Sequence, residues 1–317
     1  MSADAGRDAS STASSTASAN ASPNAIPSAH PNVSTPVTPP ARDPGIVVDR
    51  QYGRTAIPYG WVPAPRFLLR RDRVLARLRQ VPPGRVIEMG CGAASLLADL
   101  AAMGWNGAAV ETSAHARTIA SHMLADLPQM GLYEHPDPAW EGSFDLLMAF
   151  EVLEHIEDDV GVLTAWMRYL RPGGRVLLSV PAHAHRWTAT DTFAGHVRRY
   201  DRRDFVALGE KAGARVVSCD NYGYPLANVV EPIKSWTHAK ELSSVEPRKR
   251  PARTPEGIAA RDARTSESGV HRDAEVRVFP LMTSLPGRLA MRACCHVQTW
   301  FTRSELGTGF LLEAVKP

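Results

Sequence analysis

A chain of 317 residues, 44% of them hydrophobic, carries enough apolar surface for one large buried core or two small ones. Its formal net charge of +3 demands neither a nucleic acid nor a membrane as partner. Four cysteines (Cys91, Cys219, Cys294, Cys295) without CxxC spacing give no sign of a disulfide framework or a structural zinc site, which fits the reducing cytoplasm. There is no run of 18 apolar residues and no charged start leading into an apolar core, so neither a membrane span nor a secretory signal is expected.

Residues 1–44 are mostly Ser, Ala, Thr, Pro and Asn, too poor in large apolar side chains to offset the entropy of ordering, and are expected to be disordered. From Ala64 to Gln80, Phe67, Leu68, Val74, Leu75 and Leu78 recur at helical spacing among arginines. This predicts an amphipathic helix stopped by Pro82, Pro83 and Gly84. Five strand-like runs follow, at residues 85–89, 107–111, 143–150, 174–180 and 214–219, each near a helix-like run, with a weaker one at Leu132 and Tyr133. Such alternation predicts βαβ units and a doubly wound, mostly parallel α/β sheet with helices on both faces. Pro172, Gly173 and Gly174 read as a turn feeding the fourth run. Residues 238–275 mix both signs of charge and are expected to be mobile, inside an insertion spanning 229–304. Within that insertion a helical segment runs from Gly287 to Arg303, and its apolar groups at 285–301 suit a lid, a dimer contact, a lipid-like acceptor or plain packing. Residues 309–317 form a last strand, so the sheet domain takes residues 45–228 and 305–317.

The most informative stretch is RVIEMGCGAASLLADL followed by VETS. A strand ending at Gly90-Cys91-Gly92 and opening a helix lets backbone N–H groups approach a ligand. An acid at the tip of the next strand, Glu111, accepts the hydroxyls of a ribose, so the pair points to a nucleoside. A dinucleotide fingerprint needs glycine at position 95, where Ser95 stands, and Glu88 would repel a pyrophosphate. A cationic, amino-acid-bearing nucleoside, S-adenosylmethionine (SAM), meets both conditions.

EMGCG, VETS, FDLLMAFEVLEHIED and LRPGGRVLLSVP, in that order, resemble the successive motifs of class I SAM-dependent methyltransferases over residues 64–228 and the terminal strand. The resemblance implies a seven-stranded Rossmann-like sheet with its last strand antiparallel. It also implies SAM as cofactor, held by Glu88, Gly90, Cys91, Gly92, Glu111, Thr112 and Phe150. Ala94 stands where the family often has another glycine, and residues 134–140 match the usual adenine-side loop too poorly to assign.

Glu151, Glu154 and His155 are spaced i, i+3 and i+4, which on one helical turn puts two carboxylates and an imidazole on one face. Those donors suit magnesium, manganese, iron or zinc, and the arrangement is similar to the ExxEH element of ubiquinone-pathway O-methyltransferases. The alternative is helix capping. A second cluster, His183, His185, Trp187, Asp191, His196, Arg199 and Tyr200, begins at a strand's C-terminal end, where open α/β sheets bind ligands. In the similar family, a loop histidine lies near the transferred methyl and best matches His196. It would act as general base, with His155 as its catalytic companion, or join Glu151, Glu154 and His155 as fourth ligand of a divalent metal. Arg198 and Arg199 bind an acidic substrate group or serve Asp201, Asp204 or solvent. Trp187 and Tyr200 form a flat wall for an acceptor or pack the loop. The expected activity is methyl transfer to a small-molecule hydroxyl. RNA methylation, suggested by the ExxEH element, which is also similar to that of small-RNA 2′-O-methyltransferases, and by the basic run Arg248, Lys249, Arg250 and Arg253, and a SAM-binding scaffold without turnover are the competing readings.

Overall fold

A computed structural model describes residues 35–244 and 272–317. Most of the predicted tail, the greater part of the charged linker and the basic run at 248–253 lie outside the described residues.

Seven strands, β3 (Arg85–Met89), β4 (Asn106–Val110), β5 (Met130–Tyr133), β6 (Phe144–Phe150), β7 (Leu170–Pro181), β8 (Arg215–Tyr222) and β9 (Gly309–Val315), make one sheet in the order β5-β4-β3-β6-β7-β9-β8. The pairs β4·β5, β3·β4, β3·β6 and β6·β7 are parallel, and β9 alone runs against its neighbours β7 and β8. The expected seven-stranded α/β sheet with an antiparallel last strand is therefore present. Successive side chains leave opposite faces of a strand, and here both faces are covered. Val86, Leu146 and Met148 pack beneath α1 (Pro65–Leu78), α2 (Ser95–Ala102) and α3 (Ala114–Leu124). Ile87, Met89 and Leu147 pack with Trp166 of α4 (Asp159–Met167) and Phe205 of α6 (Arg202–Lys211) on the other face. Each fully buried Leu or Ile contributes roughly 1.5–3 kcal/mol, which explains why these runs carry almost no polar residue.

Three places depart from the sequence reading. A hairpin of β1 (Ile46–Asp49) and β2 (Gly53–Ala56) precedes α1 where no element is expected. Its strands are four residues long and are anchored from outside, by Arg71 donating to Gln51 O at 2.9 Å and by Ser95 Oγ donating to Arg54 O at 3.4 Å. Part of the supposed tail runs along the sheet edge, with Val37 N donating to Leu132 O at 2.7 Å. Pro172-Gly173-Gly174 lies within β7 rather than before it, and Gly173 (φ +76) donates to Lys316 O.

After β8 come α7 (Leu226–Ser244), α8 (Asp273–Thr283) and α9 (Leu285–Gln298), the last continued by a 3-10 turn, Thr299–Phe301. Phe279 and Met291 of this group pack on Tyr52, Val62 and Leu68, and Gln298 donates to Leu69 O at 3.0 Å. These helices therefore lean on α1 and the hairpin. Among the described residues no helix is long and apolar enough to cross a membrane. Strand order reverses at β3, between β4 and β6, so a crevice opens beyond the C-terminal ends of β3 and β6.

Candidate active site

The chain leaves β3 through alternating left-handed residues, Gly90 (φ +67), Gly92 (φ +56) and Ala94 (φ +54), before α2 begins. A methyl group on Gly90 would come within 2.6 Å of Val152 Cγ2, so glycine here lets the turn press against the segment after β6. On the corresponding side of Gly92 nothing among the described residues lies within 4 Å. Glu111, just past β4, spans the turn: its Oε2 accepts from Gly92 N and its Oε1 from Ser113 N, each at 2.8 Å. Thr112 is exposed beside it, and Arg117 donates to the carbonyls of both Glu111 and Thr112. Cys91 is buried, and burial pushes its thiol well above the ordinary range. Glu88 is buried with Oε2 lacking a hydrogen-bond partner. Burial pushes its carboxyl up to about 8, against the pull of Arg70 and with the help of Glu111.

At the end of β6 the structure separates the residues expected to act together. Glu151 takes a left-handed conformation (φ +59), and the 3-10 turn Leu153–His155 starts only after it. One helical turn from 151 to 155 does not exist, so Glu151 leaves the predicted ligand set. Its carboxylate pairs with Arg66 at 2.8 Å and accepts from Ser179 Oγ at 3.0 Å and Tyr222 Oη at 2.9 Å. Against the cost of burial, Arg66 and Arg70 hold it below the usual carboxylate range. Phe150 sits beneath one of these cations, with the Arg70 guanidinium 5.3 Å from its ring centre.

Glu154 is fully buried with both carboxylate oxygens unpartnered, and burial followed by the Glu151 charge pushes its proton affinity well up. Facing it, His196 Nε2 lies 3.9 Å from Oε1, and the His155 and His196 rings meet edge to face at 4.8 Å. Ligand atoms of Glu154, His155 and His196 all fall within 4.8 Å of one another. Asp191, on α5 (Ala189–Ala194), fixes His196 from behind: its Oδ1 takes His196 Nδ1 at 2.9 Å and Arg199 Nε at 2.7 Å. Its Oδ2 accepts from Thr188 N and Oγ1. Against burial, the His196 and Arg199 hydrogen bonds hold the Asp191 carboxyl well below its usual range.

Several other groups of the histidine loop find partners within the fold. Arg199 serves Asp191, and Arg198 serves Asp159 at 2.6 Å, so neither goes to Asp201, Asp204 or an open anion site. Tyr200 is buried and donates to Asp159. Trp187 donates to Thr192 Oγ1, and His183 packs on Phe310.

Residues 65–219 match the family described as a methyltransferase domain. Through that segment the chain is similar to the SAM-dependent methyltransferases. A probable SAM-dependent methyltransferase of Mycolicibacterium smegmatis is 33% identical over 157 residues, 46% of this chain and 58% of that protein. A ubiquinone biosynthesis O-methyltransferase of Xanthomonas oryzae pv. oryzae is 34% identical over 116 residues, 35% of this chain and 48% of that protein. The chain thus spans about half the length of these curated relatives. Among solved structures, Haemonchus contortus phosphoethanolamine N-methyltransferase 2 in complex with SAM aligns at 14% identity. The TM-score is 0.47, over 83% of this chain and 57% of that one. A likeness of that size bears on neither substrate nor mechanism.

The methyltransferase crevice fits its cofactor. An orphaned buried carboxylate oxygen at Glu88, open space in front of Gly92 and an acid at the β4 tip suit a cationic nucleoside bearing an amino acid. Glu111→Ala is expected to weaken SAM binding about 10- to 100-fold, the size of a lost charge-assisted hydrogen bond. Calorimetry with SAM and with its demethylated product checks this. Arg66, Arg70 and Tyr222 escape the sequence reading. The available signal is the i, i+4 placement of Arg66 and Arg70 along one side of the predicted helix.

Proposed function

We propose that this chain is a SAM-dependent O-methyltransferase of a small-molecule hydroxyl, in which His196 is the base. The observation that carries the reading is the Asp191–His196 pair. With Nδ1 bonded to a buried carboxylate, the lone pair of His196 resides on Nε2, on the side of Glu154 and His155. Bound SAM supplies a methyl group already activated on a sulfonium. The protein then has to hold the acceptor in line and remove its proton, and positioning contributes most of the rate. His196 Nε2 accepts the hydroxyl proton as the oxygen attacks, and Asp191 stabilises the imidazolium. The names of the ubiquinone-pathway relatives support oxygen as the methylated atom. Cofactor contacts are assigned to Glu88, Gly90, Cys91, Gly92, Glu111, Thr112 and Phe150.

Incubation with methyl-labelled SAM and fractionated cell extract tests the acceptor class. Label in small hydroxylated molecules is expected. Label in RNA would replace this reading with nucleic-acid methylation, and tight SAM binding with no labelled fraction would favour a scaffold.

A metal-assisted variant rests on one observation, the two partnerless Glu154 oxygens grouped with His155 and His196. A divalent ion there would be held by one carboxylate and two imidazoles and would polarise the acceptor hydroxyl, with Asp191 orienting His196 from outside. The two readings use His196 Nε2 differently and are mutually exclusive. Activity is expected to survive dialysis against EDTA. Loss of activity together with one equivalent of metal released, as read by elemental analysis, would assign the site to the ion instead.

A further inference from the structure

Away from the crevice, α1, α9 and the turn of the β1–β2 hairpin enclose an open groove of about 430 Å³. Arg50, Arg73, Arg79 and Arg292 line it, and among the described residues Asp72 is its only carboxylate. Arg71, also in its wall, is committed to Asp99 through contacts at 2.5 and 2.7 Å. The other four arginines have no carboxylate partner among the described residues, and Arg73 Nε is buried without a hydrogen-bond acceptor. Burial and the neighbouring Arg77 lower the proton affinity of Arg73, and they outweigh the opposing pull of Asp72 and Asp220.

The groove does not end at its charged wall. Leu285, Leu289, Arg292, His296 and Trp300 recur every three or four residues, so they share one side of α9 and its 3-10 extension. Leu285 is 71% exposed, Leu289 55% and Trp300 69%, and the Trp300 ring contacts His296 at 5.5 Å. A row of large apolar side chains facing water beside a cluster of arginines that outnumbers its carboxylates is the signature of an interfacial helix. Tryptophan favours the headgroup level, leucine the acyl boundary and arginine the phosphodiester. A soluble phosphate compound would use the arginines and leave the apolar row unexplained. A single-stranded nucleic acid would stack on Trp300 and His296 and leave Leu285 and Leu289 idle.

We propose that the α1–α9 face docks this protein on an anionic bilayer surface. The arginines take lipid phosphates, and Leu285, Leu289 and Trp300 enter the interface, with no segment crossing the membrane. Flotation of the full chain with vesicles tests this independently of activity. Binding is expected with vesicles containing phosphatidylglycerol, to be nearly absent with phosphatidylcholine alone, and to fall in 1 M salt. Each arginine near such a surface is worth about fivefold in partitioning, so Arg79→Gln with Arg292→Gln should cost about 25-fold. Trp300→Ser should weaken binding several-fold at every lipid composition. All three positions are exposed, and unchanged binding of SAM's demethylated product confirms folding of the variants. The proposal is overturned by equal binding to neutral and anionic vesicles, by variants that bind as the wild type does, or by no vesicle binding alongside capture of pyrophosphate or an RNA oligonucleotide.

Discussion

Replacing His196 with alanine is expected to lower kcat by about 10²–10⁴-fold, the usual contribution of a positioned base, while SAM affinity stays within about twofold. The separation follows from geometry: His196 contacts Asp191, Glu154 and His155, whereas the glycine turn and Glu111 lie on the other side of the crevice. Asp191→Asn should move kcat the same way by less, because the amide still reaches Nδ1 but no longer supports an imidazolium. Asp191 also takes Arg199 and Thr188, so the variant will melt lower as well. The pH–rate profile separates the two effects. A positioning role moves its acidic limb, and plain destabilisation leaves the limb in place. Wild-type kcat in His196→Ala would remove this residue from the chemistry.

What the sequence discloses and what it hides divide along contact range. The glycine turn and its acid are legible because both lie at predicted strand ends and because the left-handed backbone of the turn calls for glycine. The strand pattern is legible for a related reason: a strand buried on both faces is mostly apolar, and Arg85–Met89 and Phe144–Phe150 read that way apart from Arg85, Glu88 and Asp145. The Glu151-Glu154-His155 spacing misleads because it presumes that the backbone turns helically from its first residue. A single left-handed residue at 151 sends that carboxylate towards α1 and β8 instead. Nothing within ten residues announces this, since the partner hydroxyl, Tyr222, is 71 residues away. The loop arginines show the converse. Two adjacent cations look available for a substrate until the fold brings Asp191 and Asp159 to them. Asp191 precedes His196 by five residues, and only their joint geometry distinguishes an oriented imidazole from a loop histidine. The β1–β2 hairpin is hidden for yet another reason: four-residue strands carry too little alternation to register without the α1 and α2 contacts that hold them.

Glu88 gives the clearest expected pH effect. In the folded chain its carboxyl titrates near about 8, against an ordinary 4.5 when unfolded. Between those values the native state keeps a proton that the unfolded chain has released. Its stabilising contribution is therefore complete below pH 4.5 and is lost as pH rises through about 8. Each tenfold difference in proton affinity between the folded and unfolded chain is worth about 1.4 kcal/mol, which puts the ceiling on this loss at about 5 kcal/mol. Glu154 slopes in the same direction, so only the difference between wild type and Glu88→Gln isolates position 88. The glutamine variant should melt at nearly the wild-type temperature at pH 5 and well above it at pH 8.5. The same carboxyl lies in the cofactor crevice with a partnerless oxygen, so a cation entering beside it favours the carboxylate and expels the proton. Near pH 7, SAM binding to the wild type should release close to one proton. Calorimetry reads that release as a binding enthalpy that varies with the ionisation enthalpy of the buffer, and the dependence should vanish in Glu88→Gln. A wild-type enthalpy indifferent to buffer, or an equal dependence in the variant, would mean that Glu88 is ionised in the free enzyme or stands clear of the bound cation.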